Sequence, residues 1–125
     1  MKLTASAPLP DEAVEAVLQR VRTPSLWVDW VPGLVAVDDG DPWVRLRFSD
    51  PMGTWLRVEV QRSDDGVSVA MVEGTLSAMS ALVRVAGGTV SFEARIESPA
   101  ILPGTLRTEI VQCYPARLLT ALASV

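Results

Sequence analysis

The chain holds one tyrosine, one cysteine, one lysine and no histidine, and this inventory limits the chemistry open to it. Without histidine there is no Ser-His-Asp or Cys-His nucleophilic system, and the commonest metal ligand is missing. Lys2, the sole lysine, stands beside the N-terminus, a poor place for Schiff-base chemistry. Cys113 alone can form neither an intrachain disulfide nor a thiolate cluster for zinc. With no histidine to activate it, Cys113 reads as a small buried hydrophobe. Carboxylates, hydroxyls, arginines and Tyr114 remain.

Among these, Glu73 is the sharpest polar candidate. Counting by twos from Val67, Val69 and Met71 places it on their apolar face, where a carboxylate needs a partner or a raised pKa. There it would orient a ligand hydroxyl or act as a general base. The favoured alternative puts a bulge at Gly74 and leaves Glu73 in solvent at the strand end. Tyr114 is placed on the final helix, where it can donate a hydrogen bond to a ligand. Arg45, Arg47, Arg57, Arg84 and Arg95 share the outer face with Glu59, Glu93 and Glu97, which predicts cross-strand ion pairs. A cavity arginine is the lesser reading, with Arg84 sharing a face with Leu76, Ala78 and Leu82. No catalytic residue and no metal ligand is assigned.

The apolar candidates for a pocket lining are Phe48, Leu56, Val58, Met71, Met79 and Phe92, with Trp27 and Trp30 at the mouth. Each also has a packing role to fill. A buried large apolar side chain stabilises by about 1.5–3 kcal/mol, so core packing alone accounts for these residues. The methionines suit an adaptable pocket, and they also fill core gaps.

The periodicity predicts the elements that would position them. Lys2–Ala7 alternates as a strand and ends at Pro8 and Pro10. Ala13, Val14, Val17, Leu18 and Val21 recur at three- and four-residue spacing, giving a helix over about 11–22. Thr23–Val31 predicts a second short helix or helical turn, with Pro24 at its first position and Pro32-Gly33 as its stop. Strands follow near 34–38, 43–48, 54–62, 67–73, 75–85 and 89–98. The turns between them fall at Asp38–Pro42, Asp50–Gly53, Ser63–Gly66 and Gly87-Gly88. Alternation in consecutive runs joined by short turns means antiparallel pairing. A last helix spans about Gly104–Ala123, and Pro115 within it predicts a kink or break near Tyr114. Small residues at Ala78, Ser80, Ala81 and Ala86 would let a helix or ligand approach the sheet closely.

At 125 residues, 49% hydrophobic and 21% charged, the composition fits one globular domain, 1–125. A net charge of -4 with scattered arginines argues against a nucleic-acid surface. No run approaches the ~20 apolar residues of a membrane span, and no signal-like segment opens the chain. No stable membrane insertion and a cytoplasmic location are therefore expected.

Three segments carry a family resemblance. They are Leu26-Trp27-Val28-Asp29-Trp30-Val31-Pro32-Gly33-Leu34, Glu73-Gly74-Thr75-Leu76, and Ser98-Pro99-Ala100-Ile101-Leu102-Pro103-Gly104-Thr105-Leu106. In this order and spacing the chain resembles the START/polyketide-cyclase superfamily (SRPBCC), on its coenzyme Q-binding and cyclase-like side. The resemblance implies an α+β helix-grip fold. A curved antiparallel sheet of about six or seven strands would wrap a long C-terminal helix, with one or two short helices after the first strand. It also implies an internal cavity for a small hydrophobic lipid, quinone, polyketide or aromatic molecule, without a cofactor. Two other readings stand beside binding or transport. One is a cyclase-, dehydratase- or isomerase-like enzyme with Glu73 as base; the other is a protein-interaction module with a filled core.

Overall fold

A computed structural model describes residues 1–40, 43–50, 53–99 and 104–124. The chain opens with strand β1 (Lys2–Pro8), followed by a 3-10 turn (Asp11–Ala13) leading into helix α1 (Val14–Arg22). A 3-10 helix (Pro24–Asp29) then carries the tryptophan segment. Six strands follow: β2 (Leu34–Asp39), β3 (Val44–Phe48), β4 (Trp55–Ser63), β5 (Gly66–Gly74), β6 (Ala78–Ala86) and β7 (Thr89–Glu97). Helix α2 (Gly104–Ala123) completes the described elements. This is the expected helix-grip α+β arrangement, with seven strands.

All seven strands pair antiparallel in the order β1-β7-β6-β5-β4-β3-β2. Period-2 alternation sends Leu3, Leu46, Leu56, Val58, Val67, Val83, Val90 and Phe92 to one buried face. Val17 and Val21 of α1 and Leu118, Leu119 and Leu122 of α2 meet them. Helix α2 lies mainly over β1 and then β7.

Two tight turns use glycine for different reasons. Gly87 and Gly88 have φ of +59° and +75°, the conformation that a two-residue hairpin turn demands. The Asp64-Asp65 turn contains no positive φ, so Gly66 does not supply the left-handed angle its sequence suggests. It is required by crowding instead: a Cβ there would lie 1.9 Å from the carbonyl oxygen of Val83. The expected turns at Asp38–Pro42 and Asp50–Gly53, and the segment entering α2, include residues 41–42, 51–52 and 100–103, which lie outside the described set.

Pro115 does not break the last helix, contrary to expectation: α2 runs through it unbroken. Its ring is fully buried, so packing offsets the lost bond. The carbonyl deprived of that bond belongs to Val111, a residue on the exposed part of the helix where water can reach it.

Shortening Leu122, fully buried against α1 and the sheet, should cost about 2–5 kcal/mol. Gly66→Ala should cost about 1–3 kcal/mol through overpacking. Urea denaturation of each variant checks both.

Candidate ligand-binding seam

The site is framed by the end of α1, where three successive carbonyls are taken by side chains from elsewhere. Trp30 Nε1 donates to the Arg20 carbonyl at 3.2 Å, Trp27 Nε1 to Val21 at 2.8 Å, and Arg62 Nε to Arg22 at 2.8 Å. A helix leaves its last carbonyls without internal partners, and these donors supply them. Trp27 and Trp30 are each 4% exposed, so both indoles serve as buried caps. Thr23 makes no side-chain cap, although its type and place suggest one. From the same turn, Arg20 reaches the far end of α2 and donates to the carbonyls of Ala121, Leu122 and Ser124. A guanidinium there also meets the negative end of the helix dipole. This contact spans about a hundred residues of chain and leaves no local mark in the sequence.

Tyr114 donates to the Pro32 carbonyl at 2.9 Å, tying the middle of α2 to the tryptophan turn. Its proton is therefore already engaged, contrary to the free donor that its position on the helix suggests. Burial pushes its phenol up to about 12 from the ordinary 10.0, against a smaller downward pull from the Arg117 guanidinium.

Glu73 leaves the apolar face through a bulge. Arg57 pairs with Glu73 and Val58 with Met71, so Val72 is the extra residue between them. The register change therefore precedes Glu73 rather than following it at Gly74. Glu73 is exposed on the outer face and bonds Arg57 at 2.9 Å. Arg84 is also outside, held by Asp65 at 2.8 Å, and Leu82 and Ala78 share that outer face with it. The remaining ion pair among the described residues joins Lys2 to Glu93 at 3.4 Å. The expected partners Glu59 and Glu97 take no part in these pairs; Arg45 stacks on Trp55, and Arg57 stacks on Trp43 while bonding Glu73. Cys113, expected to be buried, is exposed.

The apolar candidates fall into two groups. Leu56, Val58 and Phe92 are buried in the packed core. Met71, Met79 and Phe48 are half-buried, together with Val60, Val69, Leu76 and Ile96, which sequence reading did not single out. Met79 lies opposite Ile96, and Met71 opposite Val58, at the end of the sheet from which β7 delivers the chain to α2. The first half of α2 begins at this end. Leu106 and Val111 are 43% and 38% exposed there, and Ile110 is half-buried. Leu106, Ile110 and Tyr114 continue the four-residue spacing of Leu118 and Leu122. One apolar stripe therefore runs along α2, buried at Leu118 and Leu122, half-buried at Tyr114 and Ile110, and exposed at Leu106.

Two surface hollows complete the description. One, of about 580 Å³, lies between the tryptophan turn and α2, with Trp30, Val31 and Leu34 facing Ala116, Arg117 and Ala121. The other, of about 400 Å³, lies on the outer sheet face among Glu59, Gln61, Ser68, Ala70, Ser80, Leu82, Glu93 and Arg95. Neither is lined by Met71, Met79 or Phe92. Among the described residues there is no cluster of potential metal ligands, and no helix long and apolar enough to cross a membrane.

No family model matches the chain, and no curated protein matches it. Solved structures match over nearly its whole length. An uncharacterised protein from Bacillus thuringiensis superposes with a TM-score of 0.70 at 12% identity, covering 98% of this chain and 96% of that one. XoxI from Bacillus cereus gives 0.70 at 12% identity, covering 98% and 92%. Ginseng major latex-like protein 151 from Panax ginseng gives 0.66 at 13% identity, covering 99% and 95%. At such low identity the likeness is one of fold: the chain shares the helix-grip α+β architecture of these proteins.

The chain's single tyrosine makes the Tyr114 contact measurable. Its folded pKa lies above the unfolded one, so the unfolded chain loses the proton first as pH rises. The stabilisation is complete below about pH 10 and disappears as pH climbs towards 12. Tyrosinate absorbance should titrate near 12 in the folded protein and near 10 in urea. Tyr114→Phe should lower stability by about 0.5–1.5 kcal/mol below pH 10 and flatten the decline above it.

Proposed function

We propose that the protein binds or carries a small hydrophobic molecule in the seam between the first half of α2 and the sheet. The supporting observation is exposed Leu106 and Val111, flanking half-buried Ile110, at the same end as half-buried Met71, Met79 and Ile96. Apolar area left open on two facing elements is stabilised by about 25 cal/mol for each Å² that a ligand removes from water. Flexible thioethers on the wall adapt to ligands of different shape. The ligand class is the one the resemblance implies: lipid, quinone, polyketide or aromatic, taken up by a single START-like domain. The coenzyme Q-binding and cyclase-like branch belongs to the same proposal and rests on the three quoted segments.

Within this reading, Met71, Met79 and Phe48 line the seam. Phe92, Leu56 and Val58 form the packed floor, and Trp27 and Trp30 hold the frame. Glu73 has no part in it, because its carboxylate is on the other face of the sheet. The cyclase-like alternative thereby loses the base assigned to it.

Native mass spectrometry of the purified protein, with organic extraction, tests the reading first. A retained apolar molecule is the expected result. If the protein is purified empty, palmitate, a short-chain ubiquinone or an aromatic polyketide should raise its melting temperature. Met79→Arg should weaken that binding at least tenfold; Met79 also packs against the core, so circular dichroism should confirm that the variant is folded. An empty protein with no shift against all three ligands would overturn the proposal.

A further inference from the structure

The outer face of the sheet, opposite to the proposed seam, carries an unexplained arrangement. Arg45 and Arg57 stand directly across from each other on β3 and β4. Like charges in that position destabilise a sheet. Here each guanidinium lies over an indole, Arg45 5.2 Å from the Trp55 ring and Arg57 5.5 Å from the Trp43 ring. Glu73 neutralises Arg57, whereas Arg45 and Arg47 have no ionic partner among the described residues. Trp43 remains 40% exposed. Exposed tryptophan and stacked arginine are the residue types that dominate interface energies.

The same face holds a complementary half. The 400 Å³ hollow has a floor of small residues, Ser68, Ala70 and Ser80. On β7, Glu97 has no ion pair among the described residues. Strand pairing sets the levels: Arg45, Arg57 and Glu73 align across β3, β4 and β5, and Ala78 aligns with Glu97 across β6 and β7. Ser80 pairs with both Ala70 and Arg95, and Ala70 with Glu59. Once the bulge at Val72 is counted, Ala78 and Glu97 fall at about the level of Arg45. A two-fold axis parallel to β5 exchanges β3 with β7 and β4 with β6. It would bring Arg45 of one copy over Glu97 of the other and Trp43 over Arg95 at the edge of the hollow, twice by symmetry, with β5 of each copy meeting its own counterpart.

We propose that this face is a self-complementary surface through which two copies of the chain associate. The interface is isologous: the tryptophan–arginine half of each copy meets the small-residue and glutamate half of its partner. Five strands of five to nine residues span at most roughly 20 Å by 30 Å, about 600 Å² in each copy, at the lower end of the size of specific interfaces. The contact leaves the concave face free, so it is independent of ligand binding.

Sedimentation velocity on the full chain, from 5 to 500 μM, tests it. A concentration-dependent shift from the 13.5 kDa monomer to twice that mass is expected, weakening as salt rises. Arg45→Glu and Glu97→Arg should each raise the dissociation constant at least tenfold, and the double swap Arg45→Glu/Glu97→Arg should restore most of it. Trp43→Ala should also weaken association, with circular dichroism confirming that each variant is folded. A monomer at every concentration overturns the proposal. So does a dimer that is indifferent to Arg45→Glu, or one that the double swap fails to restore.

Discussion

The fold depends on how the last turn of α1 is satisfied. Three adjacent carbonyls point out of a nine-residue helix, and the buried one, on Val21, would cost about 1–3 kcal/mol if left unsatisfied. Two indoles and a guanidinium meet them, drawn from the 3-10 helix and from β4. Satisfying the backbone and burying the tryptophans are therefore one event. Arg20 extends the same knot to the end of α2, which would otherwise leave its own carbonyls open. Two helix ends and a strand end are thus fixed at one place, although they come from opposite ends of the chain.

That knot makes the molecule asymmetric. At its end, Val17, Val21, Leu119 and Leu122 close against the sheet with almost no exposed surface. Tyr114 adds a second tie midway along α2. Beyond it, no side-chain bond among the described residues links α2 to another element, and the helix surface is largely uncovered. A helix anchored over one half and unsupported over the other leaves apolar area exposed where its anchors stop.

The strands were readable because alternation is a local property, and β3, β4 and β7 follow it closely. The hairpin at Gly87-Gly88 was readable from its two glycines. The helix-grip order was readable from the succession of elements. What local pattern could not show was set by distant contacts. The extra residue at Val72 leaves no mark on composition, since valine suits either face, yet it moves Glu73 through the sheet. Pro115 forecasts a broken helix when only the helix is considered, whereas its buried ring is held by the core. Arg45 and Arg57 foretold ion pairs with glutamates; Arg57 makes one, with Glu73 rather than Glu59, while Arg45 rests on an indole and has none among the described residues. Met71 shares the inner face with Val67 and Val69, because parity along β5 holds until the bulge, and Met79 lies on the same face in β6, opposite Ile96.

The distribution of polar groups constrains what the concave face can recognise. Among the described residues no buried side-chain nitrogen or oxygen lacks a partner, and Thr54, the buried polar residue, is bonded by Asp50. The hydrogen bonds on Asp50, chiefly from Thr54, hold its carboxyl below the ordinary carboxylate range, outweighing the opposite effect of burial. Tyr114 has committed its proton to Pro32, and Glu73 is outside. A molecule in the proposed seam would therefore meet shape and dispersion more than directional bonds. Apolar pockets of this sort discriminate weakly, at about 1–3 kcal/mol for each methylene. The charges lie on the other face instead, where the bulge at Val72 helped to place them. One extra residue in β5 thus both withdraws a carboxylate from the apolar side and neutralises the arginine that would otherwise repel its neighbour.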